Sequence, residues 1–209
     1  MRIGIIGSGN VGVNLAKFWV KKGHEVMFSF SRDEAKLRST AAGVSNDART
    51  GAPRDAAAFG DVVVLAVPWS AVADAVNAAG PLSNKILYTT VNALTPDMSG
   101  LAVGTTTSAA EEIAKLAPGA RVVEALPPFA ELLASGSASV GGHRGTIFSC
   151  GDDPGAKSIV AELVGETGVE VIDAGPLTAA RFIEPAMMLL VRLAYAQGMG
   201  GKIAYKLLR

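Results

Sequence analysis

The sequence predicts an α/β protein with a doubly wound, mostly parallel sheet and a small C-terminal helical part. Three observations support this prediction. Short apolar segments alternate with amphipathic segments along the 209 residues, as in parallel sheets that are covered by helices. A glycine-rich turn joins the first apolar segment to the first amphipathic one. No uncharged segment reaches the length of about 18 residues that a membrane-spanning helix needs.

The predicted strands begin with residues 2–6. This segment is short, β-branched and apolar on both sides, which is typical of a buried parallel strand. Residues 62–67 carry the clearest strand pattern, and Pro68 ends it. The remaining strands are expected at residues 25–30, 85–88, 121–125, 146–150 and 169–172.

Helices are predicted between these strands. In residues 10–22 the apolar side chains recur at helical spacing, and Gly23 follows the last turn, as at many helix ends. Ser108 is a suitable N-cap for a helix at residues 109–116. The other helices are expected at residues 33–42, 71–79, 156–167 and 178–197, with a helical turn at 56–59 and a loop that has room for a short strand at 43–54.

The composition excludes several classes of function. The 19 basic and 19 acidic side chains cancel, so neither a nucleic acid nor an anionic membrane is expected as a partner. The single cysteine, Cys150, excludes a disulfide framework, and with only His24 and His143 beside it no metal site is predicted. Met1-Arg2 leads directly into an apolar strand without a signal-peptide pattern, so a soluble, cytoplasmic protein is expected.

A G-x-G-x-x-G pattern directly follows the first strand and opens the first helix: Gly7-Ser8-Gly9-Asn10-Val11-Gly12. Gly7 permits the tight turn, Gly9 lets the backbone approach a pyrophosphate, and Gly12 lets the helix pack closely on the strand. The free N–H groups at the helix start favour the phosphate anion. This position in the chain indicates a dinucleotide-binding Rossmann sheet. The alternative is a tight turn that needs glycine only for its geometry.

The next diagnostic position lies about 20 residues further on, at the end of the second strand. NAD-specific sites carry an acidic residue there, whereas this sequence has Ser31-Arg32, with Lys36 one helical turn later. A hydroxyl, a guanidinium and an ammonium bind a ribose 2′-phosphate by charge-assisted hydrogen bonds. NADP(H) is therefore the favoured cofactor. Because Asp33 and Glu34 follow, an ordinary charged helix start is the alternative.

Two further segments lie where parallel strands end, which is where ligands of such sheets bind. Val67-Pro68-Trp69 could form an apolar wall near the adenosine or nicotinamide half of the cofactor, or could simply end the strand and pack locally. Asn92 could hydrogen-bond the nicotinamide ribose or carboxamide, or could stabilise its own turn.

No catalytic acid or base is predicted. The sequence shows no Ser-His-Asp set, carboxylate pair or tyrosine–lysine motif. Hydride transfer between two planar redox rings needs little from side chains beyond stacking and alignment, since the cofactors carry the chemistry. His143 is interpreted as a surface-loop residue, and Cys150 as a small core residue.

The sequence resembles the NADP oxidoreductase, coenzyme F420-dependent family over nearly its whole length. The resemblance rests on the glycine-rich turn, on Ser31-Arg32 with Lys36, on Val67-Pro68-Trp69 and on four later segments: Ser108–Glu111, Cys150–Asp153, Asp173–Leu177 and Gly198–Gly200. It implies hydride transfer between NADP(H) and the deazaflavin coenzyme F420, in a cleft between a Rossmann domain and a small C-terminal part. It also implies that Ser8, Ser31, Arg32 and Lys36 hold the 2′-phosphate and neighbouring groups.

The sequence departs from this family after Ala125-Leu126. Members that use coenzyme F420 usually carry polar residues such as His-Thr there, whereas this chain has Pro127-Pro128-Phe129. Prolines donate no backbone N–H, so the wall that faces the acceptor is drier and poorer in donors. This departure leaves open whether coenzyme F420 is the acceptor, but it does not affect the NADP site.

The sequence therefore predicts a cytoplasmic NADP(H)-dependent oxidoreductase, with residues 1–126 as the NADP-binding domain. Residues 127–209 would complete the acceptor cleft, either as a separate part or packed with the first as one unit. Coenzyme F420 is the first candidate for the small-molecule acceptor, followed by a flavin, a quinone or an imine-like molecule. A non-catalytic NADP-binding sensor or regulatory module is the alternative. The final helix is apolar on more than one face, which makes a homodimer plausible.

Overall fold

The computed structural model describes residues 1–31 and 33–209. Its strands are β1 (Arg2–Ile6), β2 (Glu25–Ser29), β3 (Arg49–Thr50), β4 (Val62–Leu65), β5 (Ile86–Thr89), β6 (Arg121–Ala125), β7 (Ser139–Val140), β8 (His143–Arg144), β9 (Thr146–Gly151) and β10 (Glu170–Asp173). Its helices are α1 (Asn10–Lys21), α2 (Glu34–Ala42), α3 (Pro53–Phe59), α4 (Val72–Ala79), α5 (Ala109–Leu116), α6 (Ala130–Ala134), α7 (Pro154–Gly165) and α8 (Ala180–Val191).

Eight of these strands form one sheet in the order β10-β9-β6-β5-β4-β1-β2-β3. All neighbours from β3 to β6 are parallel, β9 is antiparallel to β6, and β10 is parallel to β9. The predicted doubly wound, mostly parallel sheet is thus confirmed. The strand order reverses between β1 and β4, which is the point at which ligands bind in such sheets.

The two faces of the sheet carry separate apolar clusters because side chains alternate along each strand. In β4, Val62 and Val64 pack on the side of α1, α2 and α7, whereas Val63 and Leu65 pack on the side of α3, α4, α5 and α8. All four valine and leucine side chains are buried. This two-sided burial explains why the strand has a continuous apolar sequence.

The helix α3 is longer than the helical turn predicted at residues 56–59. It packs against β1 at Gly4, where a Cβ would overlap the Ala56 carbonyl group. Pro53 occupies its first turn, where a missing N–H costs nothing. The sequence prediction failed because a seven-residue helix is too short to show a clear apolar period.

The C-terminal part differs most from the prediction. The helix α6 and the short β7–β8 hairpin were not predicted, and the last helix ends at Val191 and continues as one π-helical turn over Arg192–Ala196. The strands β9 and β10 extend the same sheet as β1–β6. The division at residues 126 and 127 into two parts stays a prediction. Within residues 1–31 and 33–209, every helix is too short or too polar to cross a membrane.

Candidate functional site

A cleft opens at the edge of the sheet where the parallel strands β1, β4, β5 and β6 end. Its volume is about 730 Å³. The start of α1 lies on one side of the cleft, and the end of α8 with the π-helical turn lies on the other. The lining residues that matter below are Asn10, Val11, Lys17, Val67, Asn92, Pro127, Pro128, Phe129, Glu131 and Tyr195.

The three glycines of the G-x-G-x-x-G turn differ in whether backbone conformation or packing requires a glycine at that position. Gly7 has a φ of 119°, and a Cβ there would overlap the Ala66 carbonyl group, so the turn itself requires glycine. A Cβ on Gly12 would lie 3.2 Å from Ile5 Cγ2, so close helix–strand packing favours glycine. Gly9 has a φ of −78°, and a Cβ there would meet no heavy atom of the described residues within 4 Å. Neither backbone conformation nor packing explains glycine at position 9.

The N-terminus of α1 is suited to bind an anion. Gly9 is its N-cap and supplies no capping side chain, and the first intrahelical bond is from the Val13 N–H to the Gly9 carbonyl at 3.0 Å. The N–H groups of the first turn therefore lack helical partners, and no acidic residue lies among them. Two residues of this turn, Asn10 and Val11, line the cleft.

The predicted 2′-phosphate site lies at the end of β2. Phe30, in a left-handed conformation with a φ of 61°, turns the chain there, and Ser31 follows on the wall of a second cavity of about 530 Å³. Asp33 caps α2, since its carboxylate accepts the Lys36 backbone N–H at 3.0 Å. Arg32 lies outside the described residues.

The cations near this second cavity are arranged differently from the prediction. The Lys36 side chain is exposed and does not line the cavity, whereas Arg38 does. Arg38 pairs with Glu34 at 3.3 Å on the same wall. The sequence analysis missed Arg38 because a helical i, i+4 pair with Glu34 gives no signal for a ligand.

The three residues after β4 divide between the cleft and the core. Val67 is buried and lines the cleft. Pro68 is exposed and precedes a short 3₁₀ turn, and Trp69 begins that turn and packs against the apolar cluster of α4 and α5. The structure therefore brings Val67, but neither Pro68 nor Trp69, to the cleft.

Asn92 lies in the cleft wall after β5 and is held by α8. Its Nδ2 atom donates a hydrogen bond to the Glu184 backbone carbonyl at 3.2 Å. Its Oδ1 atom is buried and has no hydrogen-bond partner among the described residues. The amide is therefore oriented by a contact 92 residues away in the chain, not by its own turn.

Two fully buried carboxyl groups, Glu124 of β6 and Glu184 of α8, lie behind this wall. The Glu184 carboxylate accepts the N–H groups of Ala109 at 3.0 Å and Ala110 at 3.2 Å, which caps α5. Within the described part of the chain, the oxygens of Glu124 meet no N–H or hydroxyl donor. Burial raises the pKa of Glu124 well above its usual range, and the facing Glu184 carboxylate raises it further. The folded protein therefore favours the protonated form of Glu124 more than the unfolded chain does.

The acceptor-facing wall contains one polar pair. Tyr195 lies on the π-helical turn, and its hydroxyl donates to the Glu131 carboxylate at 2.9 Å. Its ring packs edge-on against Phe129, with 5.7 Å between the ring centroids. Partial burial, and then the Glu131 carboxylate, raise the pKa of Tyr195 to about 12. The sequence analysis missed this pair because 64 residues separate its members and Tyr195 follows an apolar helix.

The other two candidates that sequence analysis considered lie away from the cleft. His143 is exposed on β8 and does not line the cleft. Cys150 is buried, its thiol donates to the Leu177 carbonyl at 3.6 Å, and burial raises the pKa of the thiol. These surroundings are those of a core residue, as the sequence analysis interpreted it.

The strand order, the glycine-rich turn and the anion-binding helix start define a Rossmann dinucleotide-binding protein. Residues 2–93 match the model of a family described as "NADP oxidoreductase coenzyme F420-dependent". A candidate F420-dependent NADP-reductase from Arthrobacter sp. FB24 is 30% identical in sequence, over 99% of this chain and 99% of that chain, with a TM-score of 0.87. The chain therefore belongs to the NADP oxidoreductase, coenzyme F420-dependent family, a family of NADP-dependent oxidoreductases.

Other solved structures are similar at lower identity. A protein from Sinorhizobium meliloti is 28% identical over 86% of this chain and 87% of that chain, with a TM-score of 0.74. A reductive aminase from Aspergillus terreus, solved in complex with NADPH, is 18% identical over 94% of this chain and 63% of that chain, with a TM-score of 0.69. The second similarity concerns the fold alone.

Proposed function

We propose that the protein transfers a hydride between NADP(H) and a planar small-molecule acceptor that binds in the cleft. The observation that carries this proposal is Gly9. Neither backbone conformation nor packing requires a glycine at position 9. A ligand that approaches the backbone closely would explain the absence of a side chain there. The adjacent free N–H groups at the start of α1 fit the pyrophosphate of a dinucleotide.

The residues of the chain then divide into cofactor-binding and acceptor-binding groups. Gly7, Gly9 and Gly12 shape the phosphate turn, with Ser8, Asn10 and Val11 beside the pyrophosphate. Ser31, Arg32 and Lys36 are proposed for the 2′-phosphate, which favours NADPH over NADH. Val67 and Asn92, which line the cleft, are proposed for the nicotinamide half. Pro68 and Trp69 would contribute only at the rim near the adenosine.

The bound nicotinamide would supply the hydride chemistry, and the protein would position the two partners and exclude water. The apolar wall of Pro127, Pro128 and Phe129 suits a flat acceptor. Family membership makes coenzyme F420 the first candidate acceptor, followed by a flavin, a quinone or an imine. Residues 127–209 complete the cleft, since Phe129, Glu131 and Tyr195 all come from this part.

The test is a spectroscopic assay with NADPH and each of the four acceptor classes. Oxidation of NADPH that requires one of them supports the proposal. Tight binding of NADPH without turnover of any acceptor would contradict it and favour a sensor or regulatory module. For the 2′-phosphate, Arg32→Ala should weaken NADPH binding about 10-fold more than NADH binding, since a hydrogen bond to a charged group contributes about 1.5 kcal/mol or more. Equal losses for NADPH and NADH would contradict the 2′-phosphate assignment.

A further inference from the structure

The cleft contains a tyrosine that the proposed function does not use. Tyr195 lines the cleft from the π-helical turn, and such turns often occur at functional sites. Tyr195 is 47% exposed, so its side chain is accessible to a ligand and to solvent. In the structure its proton points to the Glu131 carboxylate at 2.9 Å.

The glycine-rich C-terminal tail passes close to the Glu131 carboxylate. Gly201 is buried, and a Cβ there would lie 2.8 Å from Glu131 Cδ and 2.8 Å from Glu131 Oε2. Gly201 does not have a left-handed φ, so backbone conformation does not demand glycine. The exposed Glu131 side chain therefore has room for this position of its carboxylate, beside the Tyr195 hydroxyl, only because residue 201 is a glycine. Phe129 holds the tyrosine ring edge-on from the apolar wall.

We infer that Tyr195 is the proton donor to the acceptor, and that Glu131, seated against Gly201, positions its hydroxyl. This inference rests on the proposed function. The acceptor class is a molecule whose hydride-accepting carbon is double-bonded or conjugated to nitrogen or oxygen. As the hydride bonds to that carbon, the π electron pair moves to the nitrogen or oxygen. The Tyr195 hydroxyl turns from Glu131 to this atom, and the phenolic O–H bond breaks as the atom takes the proton. The resulting phenolate is reprotonated by solvent, so the net reaction consumes one hydride and one proton.

The electrostatics of the pair fit this role. The Glu131 carboxylate accepts the hydroxyl proton and disfavours the phenolate, so Tyr195 stays protonated at neutral pH, with its pKa raised to about 12. Only a strongly basic atom takes a proton from such a phenol, and the nitrogen or oxygen of a C=N or C=O bond becomes one as it receives the electron pair. Lys17 of α1 also lines the cleft.

The first test compares Tyr195→Phe with the wild type, using a cyclic imine, a ketone and coenzyme F420 as acceptors. Phenylalanine keeps the ring contact with Phe129, so NADPH binding and thermal stability should stay unchanged. The value of kcat should fall about 100-fold or more with whichever acceptor the wild type reduces, as expected for the loss of a general acid. An unchanged kcat in a variant that still binds NADPH would overturn the inference and leave the proposed function intact. Failure of the wild type with every acceptor would overturn both.

The second test displaces Glu131 without touching Tyr195. Gly201→Ala pushes the flexible carboxylate away, and Gly165→Ala is its control, because a Cβ there meets nothing within 4 Å. An ultraviolet titration, with Tyr195→Phe as the blank, measures the pKa of the phenol directly. In Gly201→Ala it should fall from about 12 towards the usual 10.0, and kcat should drop by up to about 100-fold. A pKa and a kcat that match those of Gly165→Ala would refute the positioning role.

Discussion

The buried pair Glu124–Glu184 leads to a specific prediction about stability and pH. In the folded protein, burial and the Glu184 carboxylate raise the pKa of Glu124. The unfolded chain releases the Glu124 proton near the usual value of 4.5. Between the unfolded and the folded pKa, the folded state therefore binds up to one more proton than the unfolded state. The free energy of unfolding must fall as the pH rises, until the folded pKa is reached.

The size of this pH dependence follows from the binding of a single proton. The contribution to the slope is at most 2.303RT, or about 1.4 kcal/mol per pH unit. Glu124→Gln removes this contribution, because the amide N–H₂ group donates to Glu184 without any titratable proton. The variant should match the wild type at low pH and become progressively more stable than the wild type as the pH rises.

Urea unfolding measured from about pH 5 to about pH 8 gives the slope of the free energy of unfolding against pH for the wild type and for Glu124→Gln. Glu124→Leu serves as a second variant of similar size. It also lacks the Glu124 proton, but its free energy of unfolding should be lower, since leucine offers no donor to Glu184, and Glu184, whose pKa burial also raises, still contributes to its slope. Cys150 and Tyr88 also face Glu124, but burial raises the pKa of both groups above their usual values, so they do not titrate in this range. Parallel curves for the wild type and Glu124→Gln would show that Glu124 is not protonated in the folded state.

Three further predictions concern other parts of the molecule. Gly9→Ala should keep the thermal stability of the wild type but weaken NADPH binding by at least about 1.4 kcal/mol, or tenfold, because the added Cβ would enter open space that the proposed cofactor would fill. Gly12→Ala is the contrasting variant, and a loss of stability without a loss of affinity in Gly9→Ala would contradict the ligand explanation. Arg181→Met should raise the pKa of Glu111, which the Arg181 hydrogen bonds hold below its usual value of 4.5. The substitution should therefore lower the free energy of unfolding above pH 4.5 and have less effect as the pH falls through the lowered pKa of Glu111. Equal losses in urea unfolding at neutral and at acidic pH would refute this. Phe182 and Leu189 lie two helical turns apart on α8 and are 78% and 52% exposed, so if two copies associate through this face, Phe182→Glu should convert a dimer to a monomer in sedimentation experiments. A wild-type monomer would rule out the homodimer.

The local patterns of the sequence were sufficient to predict the sheet and the glycine-rich turn. A strand such as Val62–Leu65 is apolar at every position because both of its faces are covered, and that pattern is visible without a structure. The turn at residues 7–12 is equally local, since three glycines, a strand and a helix start lie within a dozen residues. Of the short helices, α3 was predicted only as a turn over its last four residues and α6 was missed, because five or seven residues do not establish a helical period.

Only the tertiary structure distinguishes the roles of the three glycines in this turn. In the sequence, Gly7, Gly9 and Gly12 look alike. What distinguishes them is the distance from a missing Cβ to atoms of other elements, such as the Ala66 carbonyl for Gly7 and open space for Gly9. The sequence thus determined that a dinucleotide turn is present, and the structure decided which glycine leaves room for the ligand.

The pairing of the ionisable groups depended wholly on the fold. Glu131 and Tyr195 of the cleft are 64 residues apart, and the buried Glu124 and Glu184 behind its wall come from a strand and a helix that meet only in the folded chain. A protonation state depends on burial and on neighbouring charges, and neither is a property of local sequence. By itself the sequence determined the fold class, the family resemblance and the choice of NADP(H). The tertiary structure alone decided which ionisable groups lie side by side and which of them line the cleft, because these positions are set by long-range packing.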